Sequence, residues 1–290
     1  MSRYYCLIAG LPSITPDDAK LTYSVADFKA LLEPVLTEQD KRLMRWFYLK
    51  YDNRNILSFI KKTIEEQFDD RGNFSKVDIH LLFNKLKAGE KAPAKLGAPA
   101  YMTKFFKAYL TRLENETPID FRQLEDELSA FYFEEAMRCG NDLLAAWFEM
   151  NLNIGNMLAA LNCRKYGLER EHYIIGDNEI ANRLRQSNVR EVYFGDSYEY
   201  LTELTPIVDE PEPMVRERRL EMLRWKWLDN QTFFKAFEIE IVIAYMLRLE
   251  IIERWVMLDK VRGEMTFRSL VSGMKQESAA TLEEFKENNK

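Results

Sequence analysis

Acidic and amide side chains are the residues of this chain whose types and spacing could do chemistry. Asp69 and Asp70 open the stretch DDRGN. Asn141 and Glu149 stand eight residues apart in NDLLAAWFE, on one face of a helix. Such oxygens could hold magnesium against a diphosphate, because Mg2+ takes hard ligands and shares them with substrate phosphates. Asp52 and Asn55, in YDNRNILSFIKK, sit just ahead of an apolar run. Asn is a poor helix former, since its side chain competes for backbone hydrogen bonds. A site, a cap or a register device could each explain its place. His80 and His172 are the two histidines, and neither has metal-ligand neighbours. They read as ordinary, partly exposed side chains. No GxGxxG, GxxxxGK[ST] or GxSxG occurs, so neither a phosphate-cradling loop nor a nucleophile elbow is supported.

The two acidic stretches resemble the aspartate-rich motif and the second magnesium motif of class I terpene synthases. That resemblance implies a diphosphate lyase with Asp69, Asp70, Asn141 and Glu149 around one cavity. Several features oppose it. Ala145 stands where the second motif wants a hydroxyl, and the two motifs lie close together in the chain. Gly72 makes DDRGN read as a helix end rather than a helix wall. Asn141, after Gly140, is accounted for as an N-cap, with Asp142 favourable in the first turn.

The composition narrows the classes further. A net charge of -6 argues against a general nucleic-acid binder, which needs a basic stripe. RERRLEMLRWKW mixes basic and aromatic residues, but Glu217 and Glu221 interleave, so it reads as a solvated helix face. Cys6, Cys139 and Cys163 are odd in number and contain no CxxC. A disulfide scaffold or zinc site is not expected, and a reducing cytoplasmic compartment fits. The opening MSRYYCLIAGLPSI reads as a buried N-terminal segment rather than a targeting peptide, because Pro12 cuts a short apolar run. The most apolar stretch, FEIEIVIAYMLRLEIIERWVML, carries Glu238, Glu240, Arg248, Glu250, Glu253 and Arg254. A lipid-facing helix would not tolerate them.

The elements that must position these residues are helices. Only 11 Gly and 9 Pro occur in 290 residues, and few β-branched runs alternate with period two. A short helix over VADFKALLEPVL is interrupted near Pro34. Thr37 then caps a long helix, with Leu49, Ile56, Ile60 and Ile64 on one face, that DDRGNFSK ends. Residues 87–100 read as a linker or a long exposed loop. Helical patterns resume in YMTKFFKAYLTRLENE and DFRQLEDELSAFYFEEAMRCG. Another helix runs from the cap Asn141 to Gly167. A shorter one follows an Asp177 or Asn178 cap. A second break at Pro206, Pro211 and Pro213 leads to one very long helix or two, divided near Asp229–Gln231. EMTFRSLVSGMKQ adds another, and the polar tail frays.

The opening polar pair recurs. Asp52–x–x–Asn55–Ile56 aligns with Asn153–x–x–Asn156–Met157, and Lys61–Lys62 with Arg164–Lys165. Glu250–x–x–Glu253, with Lys260 and Arg262, is a third candidate; the copies stand about 100 residues apart. After the first two copies the chain turns and makes a short helix; MTFRSLVSGM would play that part after the third.

This triplicated element resembles the funnel-shaped central-stalk subunit of the V/A-type ATPases, the C-type subunit, whose eukaryotic counterpart is the d-type. Asp52, Asn55 and Ile56 with Lys61 and Lys62 match that family's repeat. So do Asn153, Asn156 and Met157 with Arg164, Lys165 and Gly167. Tyr245, Glu250 and Arg254 look like part of its last long helix. YYCLIAGLPSI and the element order are similar to bacterial proteins associated with V-type ATP synthases, divergent equivalents of the C-type subunit. The resemblance implies an all-α funnel of three pseudo-repeated bundles: residues 1–95, 96–195 and 196–275, with a polar tail over 276–290. It implies a non-catalytic central-stalk connector that couples the rotating shaft to the membrane rotor ring in proton or sodium transport. Shaft and ring would be its partners. Its place would be cytoplasmic, peripheral to the inner membrane. No catalytic residue, metal or cofactor, no nucleic acid and no transmembrane insertion is expected. An all-helical scaffold unconnected to ATPases is the other non-enzymatic reading.

Overall fold

Side-chain helix caps and few turn formers yield a helical chain, described for residues 4–186, 194–195 and 198–259 in a computed structural model. No strand occurs among those residues. The helices are α1 (Tyr5–Ala9), α2 (Val25–Leu32), α3 (Glu38–Ile60), α4 (Lys76–Lys87), α5 (Ala100–Glu114), α6 (Phe121–Ala136), α7 (Asp142–Tyr166), α8 (Glu179–Gln186), α9 (Glu199–Thr202), α10 (Leu204–Val208) and α11 (Pro213–Thr232). A twelfth, α12, covers 239–259.

The caps explain the starts. Ser24 and Asp27 form a reciprocal capping box on α2, and Ser75 and Asp78 another on α4. Thr37 accepts from Asp40 N–H at α3, and Asn141 accepts from Leu144 N–H at α7. Gly167 ends α7 at φ 68°, where a side chain would be strained.

Three expectations are corrected. First, α3 stops at Ile60 and does not reach DDRGN. Lys62 turns to φ 60° and Thr63 N–H closes on the Ser58 carbonyl, so the chain reverses; Ile64 is still buried. DDRGN therefore lies in the loop before α4. Second, the division of the last long helical region falls at 233–238, after Asp229–Gln231, which stay inside α11. Third, the N-terminal segment is mostly not buried: Tyr4 is, but Tyr5 and Cys6 are exposed. A helix as short as α1 cannot face a core on every side.

Two large apolar cores, with a small third one of Trp225, Ile251 and Ile252 between α11 and α12, hold the described residues. One joins α2–α6 to α12 through Phe28, Phe47, Phe105, Leu128 and Met246. The other gathers α8–α11 around Ile180, Leu184, Leu204 and Leu220. The long α7 links them: Leu144 and Phe148 enter the first core, Ile154 and Met157 the second. Helix α12 is pinned by polar contacts as well. Glu250 accepts from Tyr51 Oη at 2.6 Å and from Lys50, and Arg254 meets Glu217 and Glu221 of α11. No helix among the described residues is long and apolar enough to cross a membrane.

Candidate functional site: the buried polar pairs

Seven polar or charged side chains are buried among the described residues, and four of them are Asp52, Asn55, Asn153 and Asn156. A buried polar group must find partners. Those partners define what the pairs do.

In the first copy Asn55 holds both backbone groups of one residue. Its Oδ1 accepts from Asp69 N–H and its Nδ2 donates to the Asp69 carbonyl, each at 2.8 Å. The Asp52 carboxylate accepts from the N–H of Asn73 at 2.9 Å, the N–H of Phe74 at 3.0 Å and the Asn73 side chain at 2.8 Å. The loop 69–74 is thereby fastened to α3 just before α4 begins. The fit requires Gly72, because a Cβ there would collide with the Asp52 carboxylate. Burial pushes Asp52 up to about 6, against the pull of its hydrogen bonds and of Lys29.

The second copy repeats the arrangement. Asn156 accepts from Ile175 N–H and donates to the Ile175 carbonyl, again at 2.8 Å each. Asn153 accepts from Asn178 Nδ2 at 2.8 Å and donates to Tyr200 Oη at 3.1 Å. Asn178 in turn accepts from Ala181 N–H at the start of α8. Asn178, rather than Asp177, therefore caps that helix. In both copies the i+3 residue clamps a loop and the i residue fixes the approach to the following short helix.

The third pair works on different elements. Glu250 binds Lys50 and Tyr51 of α3. Glu253 accepts from Val25 N–H at 2.9 Å, at the first turn of α2. The start of a short helix is again held, but that helix precedes the pair by 228 residues, and the i+3 residue now makes the contact. Lys260, Arg262 and MTFRSLVSGM lie outside the described residues.

The magnesium constellation is not brought together as a set of free ligands. Asp69 is clasped by Arg71 through Nε at 2.8 Å and Nη2 at 2.6 Å, and the Arg71 contacts hold its carboxyl below the ordinary range. Asn141 is engaged by its cap and by Glu240, and Glu149 accepts from Tyr198 Oη. Asp70 is exposed. His80 stacks edge-on against Phe59, and His172 faces Glu169. No group of three His, Cys, Asp or Glu that could hold a metal occurs among the described residues. The three cysteines are free thiols.

The sequence marks Asn178 as a cap candidate and Gly72 as a helix-end residue, but neither these nor Asn73 could be read from spacing as partners of the buried pairs. The signal available was the pair of S-x-x-D boxes, Ser24–Asp27 and Ser75–Asp78, which mark two of the three held helix starts. Among known proteins, the family model described as "Protein of unknown function (DUF2764)" matches residues 1–278. No curated protein and no solved structure matches.

Proposed function

Starting from a chain that belongs to the DUF2764 family over nearly its whole length, we propose that it is a non-catalytic central-stalk connector of a V/A-type ATPase or ATP synthase. It would sit between the rotating shaft and the membrane rotor ring, at the cytoplasmic face, and transmit torque in proton or sodium transport. One observation carries this reading. The polar pair that resembles the repeat of the V/A-type stalk subunit is buried and clamps the following loop in the same way in two copies, Asp52–Asn55 and Asn153–Asn156. The contact of Glu253 with the start of α2 adds a third held helix start. It supports three bundles closed around an axis, because the chain's beginning would complete its last repeat.

A torque-bearing part needs stiffness rather than a reactive centre. Buried Asn side chains that tie loop backbone to long helices supply it. Each leaves a large penalty against opening. The polar residues with the best spacing for chemistry serve the architecture.

The test is direct association. Purified chain is mixed with detergent-solubilised rotor ring and, separately, with the shaft subunits, and sedimented. The connector should bind both, at distinct surfaces and without competition. Binding to neither partner contradicts the proposal and leaves the helical scaffold.

A further inference from the structure

A groove runs between α2, α3 and the loop 70–73, bordered by Gly72 and Asn73, which meet Asp52 from the other side. It has two chambers, of about 360 and 390 Å3, that share Lys29, Glu33 and Tyr48 in their walls. Each is within the size range of small-molecule sites. The first is lined chiefly by apolar groups, among them Val25, Ala26, Ala30 and the Tyr48 ring. The second is cationic, with Lys41, Arg42 and Arg45.

The charges in this groove are not balanced by each other. Lys41 is engaged by Glu33 and Glu38, both at 3.1 Å. Arg71 is held by Asp69, outside the groove. Lys29, Arg42 and Arg45 have no carboxylate within ion-pair distance among the described residues. Lys29 Nζ instead rests 4.0 Å from the Tyr48 ring centroid and donates to the Arg71 carbonyl at 3.4 Å. Arg45 stacks over Phe74 and reaches the Gly97 carbonyl at 3.4 Å. Asp70 is the acid of the first chamber without an ion pair. Tyr48 lines both chambers. Its side chain is 3% exposed, and its hydroxyl has no hydrogen-bond partner. A buried hydroxyl in that state is costly.

We propose that this groove is a binding site for a small phosphate-bearing amphiphile. Arg42, Arg45 and Lys29 hold the phosphate, and a short apolar body lies on Val25, Ala26, Ala30 and Tyr48. Guanidinium groups suit the head because they pair with phosphate oxygens in a planar, bidentate way. The site is independent of the connector role.

Calorimetric titration of the full chain at low ionic strength tests this with three probes: n-hexyl phosphate, inorganic phosphate and n-hexanol. Hexyl phosphate should bind at least tenfold tighter than either other probe. The double variant Arg42→Ala/Arg45→Ala should weaken hexyl phosphate at least tenfold with its helical content and melting point unchanged. If the double variant does not fold, Arg42→Ala alone should weaken it at least threefold. Ala26→Trp, at an exposed position, should weaken hexyl phosphate and leave inorganic phosphate unaffected. Sedimentation with phosphatidate vesicles separates the sources. Co-sedimentation that the double variant loses assigns the head group to a membrane lipid; hexyl phosphate binding without co-sedimentation assigns it to a soluble organophosphate. Absence of saturable hexyl phosphate binding overturns the proposal. So does equal affinity for hexyl and inorganic phosphate, the mark of an adventitious ion only.

Discussion

Asn55 and Asn156 each bond the N–H and the C=O of a single loop residue. Replacing either by Leu strands two backbone groups and the cost is large, since buried unpaired groups bear their full desolvation penalty. Asn55→Leu and Asn156→Leu should each lower unfolding free energy by about 2–5 kcal/mol in urea titrations. A loss under about 0.5 kcal/mol, the range of ordinary surface changes, contradicts the clamp. Asp52 behaves differently. Its carboxyl titrates at about 6 in the folded chain against an ordinary 3.8. The folded state therefore holds the proton more tightly. The contribution is fully present below the unfolded value and is lost as pH rises through about 6. Relative to Asp52→Asn, the natural chain should gain on the order of 2 kcal/mol as pH falls from 7 to 4. A difference that stays constant over that window contradicts the assignment. Spacing alone exposed Asp52 and Asn55, because three residues in a helix put both on one face. Their partners escaped it. Asn73 lies 21 residues after Asp52, and Asn178 lies 25 residues after Asn153 in the second copy, both in loops where no helical period marks them as partners.

Helix starts and stops were largely readable, because caps act locally. Thr37, Asn141 and Gly167 stand where their side-chain and backbone chemistry places them. The end of α3 was not, since Ile64 keeps the apolar rhythm while the chain has already turned at Lys62. The polar contacts that dock α12 on α2 and α3 come from Glu250 and Glu253, which no local pattern could pair with Lys50, Tyr51 and Val25. Glu250→Ala/Glu253→Ala should raise amide exchange over 239–259 at least tenfold and leave α5 and α6 protected, because partly opened elements exchange independently of the rest. Uniform change across the chain contradicts that assignment. Gly72→Ala tests the loop in the same way. Its Cβ would meet the Asp52 carboxylate, so a loss of about 1–3 kcal/mol is expected from overpacking.

At the scale of the molecule, the all-helical class was legible from Gly and Pro scarcity and from helical periodicity. The closure of the last polar pair on the first helices was hidden, because sequence order separates Glu253 from Val25 by 228 residues. That closure and the two matched clamps are what a three-bundle connector would use to turn without yielding. The decisive measurement is affinity purification of the tagged chain from native membranes under conditions that keep the rotary ATPase intact. Recovery of shaft and rotor-ring subunits with the chain, in constant proportion, is the result expected of a connector. A chain recovered without those subunits, while the ATPase itself stays assembled, would contradict it.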